Sequence, residues 1–257
     1  MPTENFVYTV GVLALQGAFA EHLEYLAQAS QLPHLKSHPF QFLPIRTPSQ
    51  LSQCHALVVP GGESTSMSLI AERTGMLEPL VEFCRTKPVW GTCAGLIFLA
   101  SEIRNGRPHQ KALGAMGIQV TRNAFGRQLD SFGEPRDFST FAPGISDFRT
   151  VFIRAPVVSG VKNGITGGAP DAAPAGDAAK MHPVGPVLEP RAPVRDTTTI
   201  QAPCLNEERV EILHALENGL VVAVRQGNKL GTSFHPELSG DCRFHGWFLQ
   251  EFVVGQA

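Results

Sequence analysis

Cys93 lies in Pro88-Val-Trp-Gly-Thr-Cys-Ala-Gly-Leu96, a short apolar run that ends in Gly-x-Cys-x-Gly. A helix-like segment, Leu96 to Ile103, follows at once. This is the pattern of a nucleophile elbow, in which a strand stops, turns sharply and presents one side chain before a helix begins. Glycines beside a strained turn residue relieve its crowding. The helix N-terminus behind the sulfur favours a thiolate. Taken alone, the pentapeptide fits a catalytic thiol and a cysteine packed in a turn equally well.

A thiolate nucleophile needs a base, and the base needs an orienting group. His235-Pro236-Glu237 supplies both. In an extended segment, residues i and i+2 share a face, so imidazole and carboxylate lie side by side, and Pro236 stiffens the pair. Glu237 would then hold one ring nitrogen and turn the other toward Cys93. Alone, this tripeptide reads as a surface turn; its pairing with Gly-x-Cys-x-Gly shifts the reading to catalysis. Attack on a carbonyl also needs oxyanion donors. The Ala94 amide is one, and Gly61-Gly62, at the end of another apolar run, offers a second at Gly62. The glycine pair also fits a plain tight turn. A nucleotide loop is set aside because no Gly-Lys-Ser/Thr follows.

The elements that must position these groups read as an α/β chain. Val7 to Leu15 is a continuous apolar run, as in a strand buried on both faces. Ala18 to Ala29 has helical spacing through Phe19, Leu23, Leu26 and Ala27. Phe42 to Ile45 and Cys54 to Val59 read as strands. A helix then opens at Glu63 to Ser66, capped by Ser64 or Thr65, and Leu77 to Arg85 is another. This rhythm implies a parallel sheet with helices on both faces. Later strands fall at Ile118 to Arg122, Val151 to Arg154, Val210 to Leu213, Leu220 to Arg225 and Leu230 to Phe234. Glu207 to Leu216 fits helix by composition and strand by alternation. Asp241 caps a last helix that turns Phe244, Trp247, Phe248 and Phe252 to the core.

Ser159 to Pro203 is rich in Gly, Ala, Pro and Asp and lacks periodicity. It reads as a disordered surface insertion within a single domain spanning residues 1–257. At 257 residues, 43% hydrophobic and 17% charged, the chain fits an ordinary soluble globular protein. A formal net charge of −2 without a basic block implies neither nucleic acid nor an anionic membrane as partner. No apolar run reaches membrane-spanning length, and Met1 to Tyr8 lacks the features of a secretory leader. Five irregularly spaced cysteines favour a reducing compartment, so the cytoplasm is expected. Cys54, Cys84 and Cys204 read as passive thiols. Cys242 and His245 fit no zinc spacing, and neither metal nor cofactor is expected.

Six blocks occur in order: Gly11-Val-Leu-Ala-Leu-Gln16-Gly17, Pro60-Gly-Gly-Glu-Ser-Thr65, Gly91-Thr-Cys-Ala-Gly95, Arg122-Asn-Ala-Phe-Gly-Arg127, Phe152-Ile-Arg-Ala-Pro156 and Ser233-Phe-His-Pro-Glu-Leu238. Together they resemble the class I glutamine amidotransferases and, more closely, the glutaminase subunit of pyridoxal 5′-phosphate synthase, the PdxT/SNO family. The resemblance runs from about Val10 to Leu249, outside the insertion, whose length resembles that of fungal members. It implies a flavodoxin-like three-layer α/β fold with a mostly parallel central sheet. It further implies hydrolysis of L-glutamine to glutamate and ammonia through a γ-glutamyl thioester. By the same resemblance Cys93 is the nucleophile, His235 the base and Glu237 the third member. Gly62, Glu63, Ser64, Arg122, Ile153 and Arg154 fall where the family binds glutamine, and Gln16 falls in a block tied to the oxyanion region and to activation. An amino-acid substrate offers a carboxylate for Arg and an ammonium for Glu; either arginine fits the first role.

Hydrolysis of glutamine alone is wasteful, and the chain has no room for a second synthase domain, so ammonia must pass to another polypeptide. In the family that partner is a (β/α)₈-barrel synthase. The competing readings are a free-standing γ-glutamyl thiol hydrolase on the same scaffold and a non-catalytic regulatory homologue.

Overall fold

The first apolar run forms β1 (Tyr8–Leu13), buried along nearly its whole length. Its neighbours explain why. The computed structural model describes residues 6–122, 131–162, 165–166, 181–186 and 197–255. After β1 come α1 (Phe19–Ala29), β2 (Phe40–Ile45), α2 (Pro48–Leu51), β3 (Ala56–Val59), α3 (Ser64–Arg73), α4 (Leu77–Thr86), β4 (Val89–Thr92) and α5 (Ala94–Leu99). Then follow β5 (Ala100–Gly106), β6 (Met116–Thr121), β7 (Ser131–Arg136), β8 (Phe148–Ile153), β9 (Val157–Val161), β10 (Ile165–Thr166), β11 (His182–Pro183) and β12 (Thr198–Gln201). The chain closes with β13 (Val210–Ala215), β14 (Val221–Gln226), β15 (Lys229–Thr232), a 3-10 turn at Pro236–Leu238, α6 (Arg243–Phe248) and a π-helical turn at Leu249–Val254.

Half of the main sheet has the order β2-β1-β3-β4-β15, with every pair parallel. That is the doubly wound order in which ligands bind beyond the carboxyl ends of the strands. Beyond β15 the sheet is mixed: β14 pairs antiparallel with β15, β6 and β9 are antiparallel, and β5 runs parallel to β6. β7 and β8 form a separate antiparallel hairpin. One face of the sheet is covered by side chains such as Met67, Leu80, Phe83, Leu96 and Phe98 from α3, α4 and α5. The other is covered by Leu26 and Ala29 of α1, Phe138 and Phe148 around the hairpin, and Phe244 and Phe248 of α6. This is the three-layer α/β arrangement.

Several boundaries differ from the sequence expectation. The helix after Cys93 ends at Leu99, and Ala100 turns extended, at φ −63° and ψ 153°, to begin β5. Its former helical positions, Ser101 and Ile103, are buried against β6, so lateral pairing overrides the helical spacing. Within the ambiguous Glu207–Leu216 segment, Val210–Ala215 is strand β13, paired antiparallel with β14 through two register shifts. The cap of α3 is Glu63 rather than Ser64 or Thr65.

The insertion also needs correction at both ends. Ser159, Gly160 and Val161 belong to β9, which pairs with β6, and Val161 is fully buried. Near its other end, β12 covers the edge of β5, while β11 extends β9. Lateral backbone hydrogen bonds recruit these stretches despite their weak apolar patterning. Much of the remainder, and residues 123–127 of the Arg122 block, lie outside the described residues.

Candidate active site

Cys93 occupies the turn between β4 and α5 with φ 48° and ψ −101°, a strained conformation for a non-glycine residue. Its amide donates to the Thr232 carbonyl at 2.8 Å, which fixes the turn to β15. Two residues on, a Cβ on Gly95 would overlap the carbonyl of Val59, so only glycine lets α5 start this close to β3. The Ala94 N–H lies in the first helical turn, where no intrahelical carbonyl reaches it.

His235 and Glu237 come from the loop that leaves β15. Nδ1 of His235 lies 2.7 Å from Oε1 of Glu237. The expected pairing is there, but its backbone is a 3-10 turn at Pro236–Leu238 and not an extended segment. Pro236 serves as the first residue of that turn, a position its fixed φ suits. The Cys93 sulfur is the other neighbour that acts on the His235 ring. Burial works against the His235 cation, yet the hydrogen bonds and charges of Cys93 and Glu237 outweigh it and lift its pKa to about 10. Burial likewise opposes the Glu237 anion, but His22 and His235 hold its carboxyl below the usual range.

The walls of this row come from three further elements. Gly61 abuts the imidazole, and a Cβ there would press into the His235 ring. Gln16, at the end of the first strand run, clamps the next loop residue at two points. Its Oε1 accepts from the Glu63 amide at 3.2 Å, and its Nε2 donates to the Glu63 carbonyl at 3.0 Å. This fixes Gly62 between two anchored residues. From the hairpin, the Ile153 carbonyl lies 4.0 Å from the Cys93 sulfur, and the Val151 carbonyl accepts the His235 amide. Ile153 and Leu238 are exposed beside the row.

A second cluster gathers Glu63, Ser64 and Arg122. Glu63 caps α3: its Oε1 accepts from the Thr65 amide and its Oε2 from the Ser66 amide and hydroxyl. Those bonds outweigh partial burial and keep its carboxyl below the ordinary range. Arg122 Nη2 donates to the same Oε1 at 3.2 Å. The buried Gln110 ties the cluster together, accepting from Arg122 at 2.9 Å and donating to Ser64 Oγ at 3.1 Å. Arg154 differs. It is exposed, has φ 44°, and its side chain makes no hydrogen bond or ion pair among the described residues.

Gln110 and His22 were not singled out by sequence reasoning. Gln110 sits in a loop without a motif, so no signal marked it. For His22 a signal existed: it falls on the buried stripe of α1 with Leu26 and Ala29, where a histidine needs partners. His245 of α6 is fully buried. No helix among the described residues is long and apolar enough to cross a membrane.

The SNO glutamine amidotransferase family model matches residues 12–167 and 191–254. The pyridoxal 5′-phosphate synthase subunit SNO1 of Saccharomyces cerevisiae is 39% identical over 251 residues, covering 95% of this chain and 92% of that protein. The subunit PdxT of Herpetosiphon aurantiacus is 40% identical over 243 residues, covering 94% and 98%. A crystal structure of a glutamine amidotransferase superposes with a TM-score of 0.63 at 34% identity, over 94% of this chain and 97% of that one. With a family match across most of its length and relatives of this similarity, the chain belongs to the SNO glutamine amidotransferase family.

Proposed function

We propose that this chain hydrolyses L-glutamine as the glutaminase subunit of a pyridoxal 5′-phosphate synthase and hands the ammonia to a separate (β/α)₈-barrel synthase subunit. One observation carries the reading: His235, hydrogen-bonded to Glu237, beside Cys93 on a strained strand-to-helix turn. It occurs in a chain whose relatives bear that subunit's name over nearly their whole length.

In this mechanism the Cys93 thiolate attacks the side-chain amide carbon of glutamine. The Ala94 and Gly62 amides stabilise the oxyanion. His235, held as a cation by its neighbours, protonates the departing nitrogen, which leaves as ammonia. A γ-glutamyl thioester remains. Water, deprotonated by His235, attacks the same carbon, and glutamate leaves as the thiolate reforms. Glu237 orients the ring throughout.

Arg154 takes the substrate carboxylate, since its guanidinium is uncommitted among the described residues while Arg122 is tied to Glu63 and Gln110. Both Glu63 oxygens already accept two donors, so Glu63 shapes the pocket beside Ser64 and adds negative potential for the ammonium.

The test is glutaminase activity with and without the co-expressed synthase subunit, alongside Cys93→Ala. The variant abolishes glutamine-dependent synthesis, and added ammonium restores it. Activity that neither appears nor rises on mixing, or synthesis that ammonium cannot rescue, refutes the proposal.

A further inference from the structure

Glu237 has two carboxylate oxygens, and the row just described uses one. Its Oε2 is buried and accepts no well-aligned hydrogen bond, yet His22 Nε2 lies 3.3 Å away. That same nitrogen is 3.3 Å from Thr92 Oγ1, on the residue before the nucleophile. On the far side of the ring, His22 Nδ1 meets His245 Nε2 at 2.9 Å. Both histidines are fully buried. Trp90 packs edge-on to each, at 5.7 Å from the His22 ring and 5.1 Å from the His245 ring, and Tyr25 lies against His245 at 5.2 Å. These rings join α1 and α6 directly beneath the catalytic turn.

The hydrogen-bond inventory orders the chain. A carboxylate only accepts, so a proton on His22 Nε2 is the tautomer that offers the nearby Glu237 oxygen a donor. In a neutral ring the other nitrogen is then bare and must accept from His245 Nε2–H. The opposite tautomer would aim a lone pair at a buried anion, which a low-dielectric site penalises heavily. Burial favours neutrality for both rings: it brings each pKa down to about 3, with Glu237 opposing and His245 and His235 reinforcing this at His22.

We propose that His22, locked in one tautomer by His245, is a positioning residue that holds the second oxygen of Glu237 and thereby sets the orientation of the His235 ring. The inference rests on the catalytic reading of Cys93, His235 and Glu237. It adds two residues to the site, drawn from the first and last helices of the chain.

The experiment compares His22→Leu, His22→Gln, His245→Leu and Cys93→Ala in the full chain. Glutaminase kinetics are measured with the synthase subunit present, and thermal unfolding without it. His22→Leu lowers kcat about 10- to 100-fold, as expected for one lost donor to a buried charge, with the KM for glutamine within about 2-fold. His22→Gln returns an amide N–H to the Nε2 position and restores kcat to within about 5-fold of wild type. His245→Leu frees the tautomer and slows kcat by an intermediate factor. Wild-type kcat in His22→Leu overturns the inference, as does His22→Gln as slow as His22→Leu at equal Tm. If His22→Leu does not fold, the other two decide: a slowed His245→Leu beside an active His22→Gln upholds the relay, and a His245→Leu of wild-type kcat overturns it. Glutaminase activity retained by Cys93→Ala would remove the catalytic reading itself. An inactive Cys93→Ala beside an unaffected His22→Leu removes only this inference.

Discussion

His235 Nδ1 and Glu237 Oε1 meet at 2.7 Å across a single 3-10 turn, so one backbone segment supplies both the proposed base and its proposed orienting carboxylate. Replacing Glu237 by Gln keeps the volume and removes the charge. The His235 pKa falls from about 10 toward its ordinary value, and kcat falls about 10²- to 10⁴-fold with little change in KM. Steady-state kinetics across pH 6 to 10 check both effects.

His22 and His245 should make the fold acid-sensitive. Each has a pKa of about 3 in the native state against an ordinary 6.5. The unfolded chain therefore binds protons that the native state refuses, so this stability is present above pH 6.5 and is lost as pH falls toward 3. Between pH 7 and pH 5 the two rings together remove about 4 kcal/mol. Denaturant unfolding at the two pH values measures this. A His22→Gln/His245→Leu double variant gives a flatter profile.

Glu63→Ala removes the cap of α3 and the ion-pair partner of Arg122. The expected loss is about 1 kcal/mol of stability, with a higher KM. Glu63→Asp keeps a capping oxygen but withdraws from Arg122, so it separates the two effects. Thermal melts paired with KM values will show stability near wild type and KM still raised.

Gln110→Leu leaves the size of the side chain and deletes its bonds to Ser64 and Arg122. The KM for glutamine should rise about 5- to 30-fold while kcat changes less than about 3-fold, the equivalent of one or two lost buried hydrogen bonds. A kcat loss with KM unchanged would contradict this placement.

Gly61→Ala drives a methyl group into the His235 ring. Activity should fall by at least about 10²-fold, because the imidazole is displaced from Cys93 and Glu237. Kinetics and a thermal melt suffice.

The strands of the parallel half were legible because their apolar runs have only one use, burial on both faces, and Val10, Val12, Leu57 and Val59 are indeed fully buried. The side-by-side placement of His235 and Glu237 was legible from motif chemistry. Less was visible where lateral pairing decides the outcome. Ala100 to Ile103 has helical spacing, but β6 and β12 offer it hydrogen bonds that a helix cannot match. Gly160 and Val161 look like linker residues until β6 is placed beside them. The supporting residues of the site were the least visible. Gln110 acquires meaning only when Ser64 and Arg122 converge on it, and His22 only when α6 delivers His245.

The order β3-β4-β15 places the strand that leads to Cys93 between an early strand and one of the last. Trp90 donates to Thr232 across 142 residues of chain, and the amide of Cys93 is held by that same threonine's carbonyl. A ribosome therefore releases Cys93 long before anything that can activate it. On the proposed mechanism, a fragment that stops short of β15 lacks the Thr232 anchor of the Cys93 turn as well as His235 and Glu237, so it does not hydrolyse glutamine. If the proposed mechanism holds, proteolytic loss of the last strand silences the enzyme as completely as loss of Cys93, which builds a completeness check into the strand order itself.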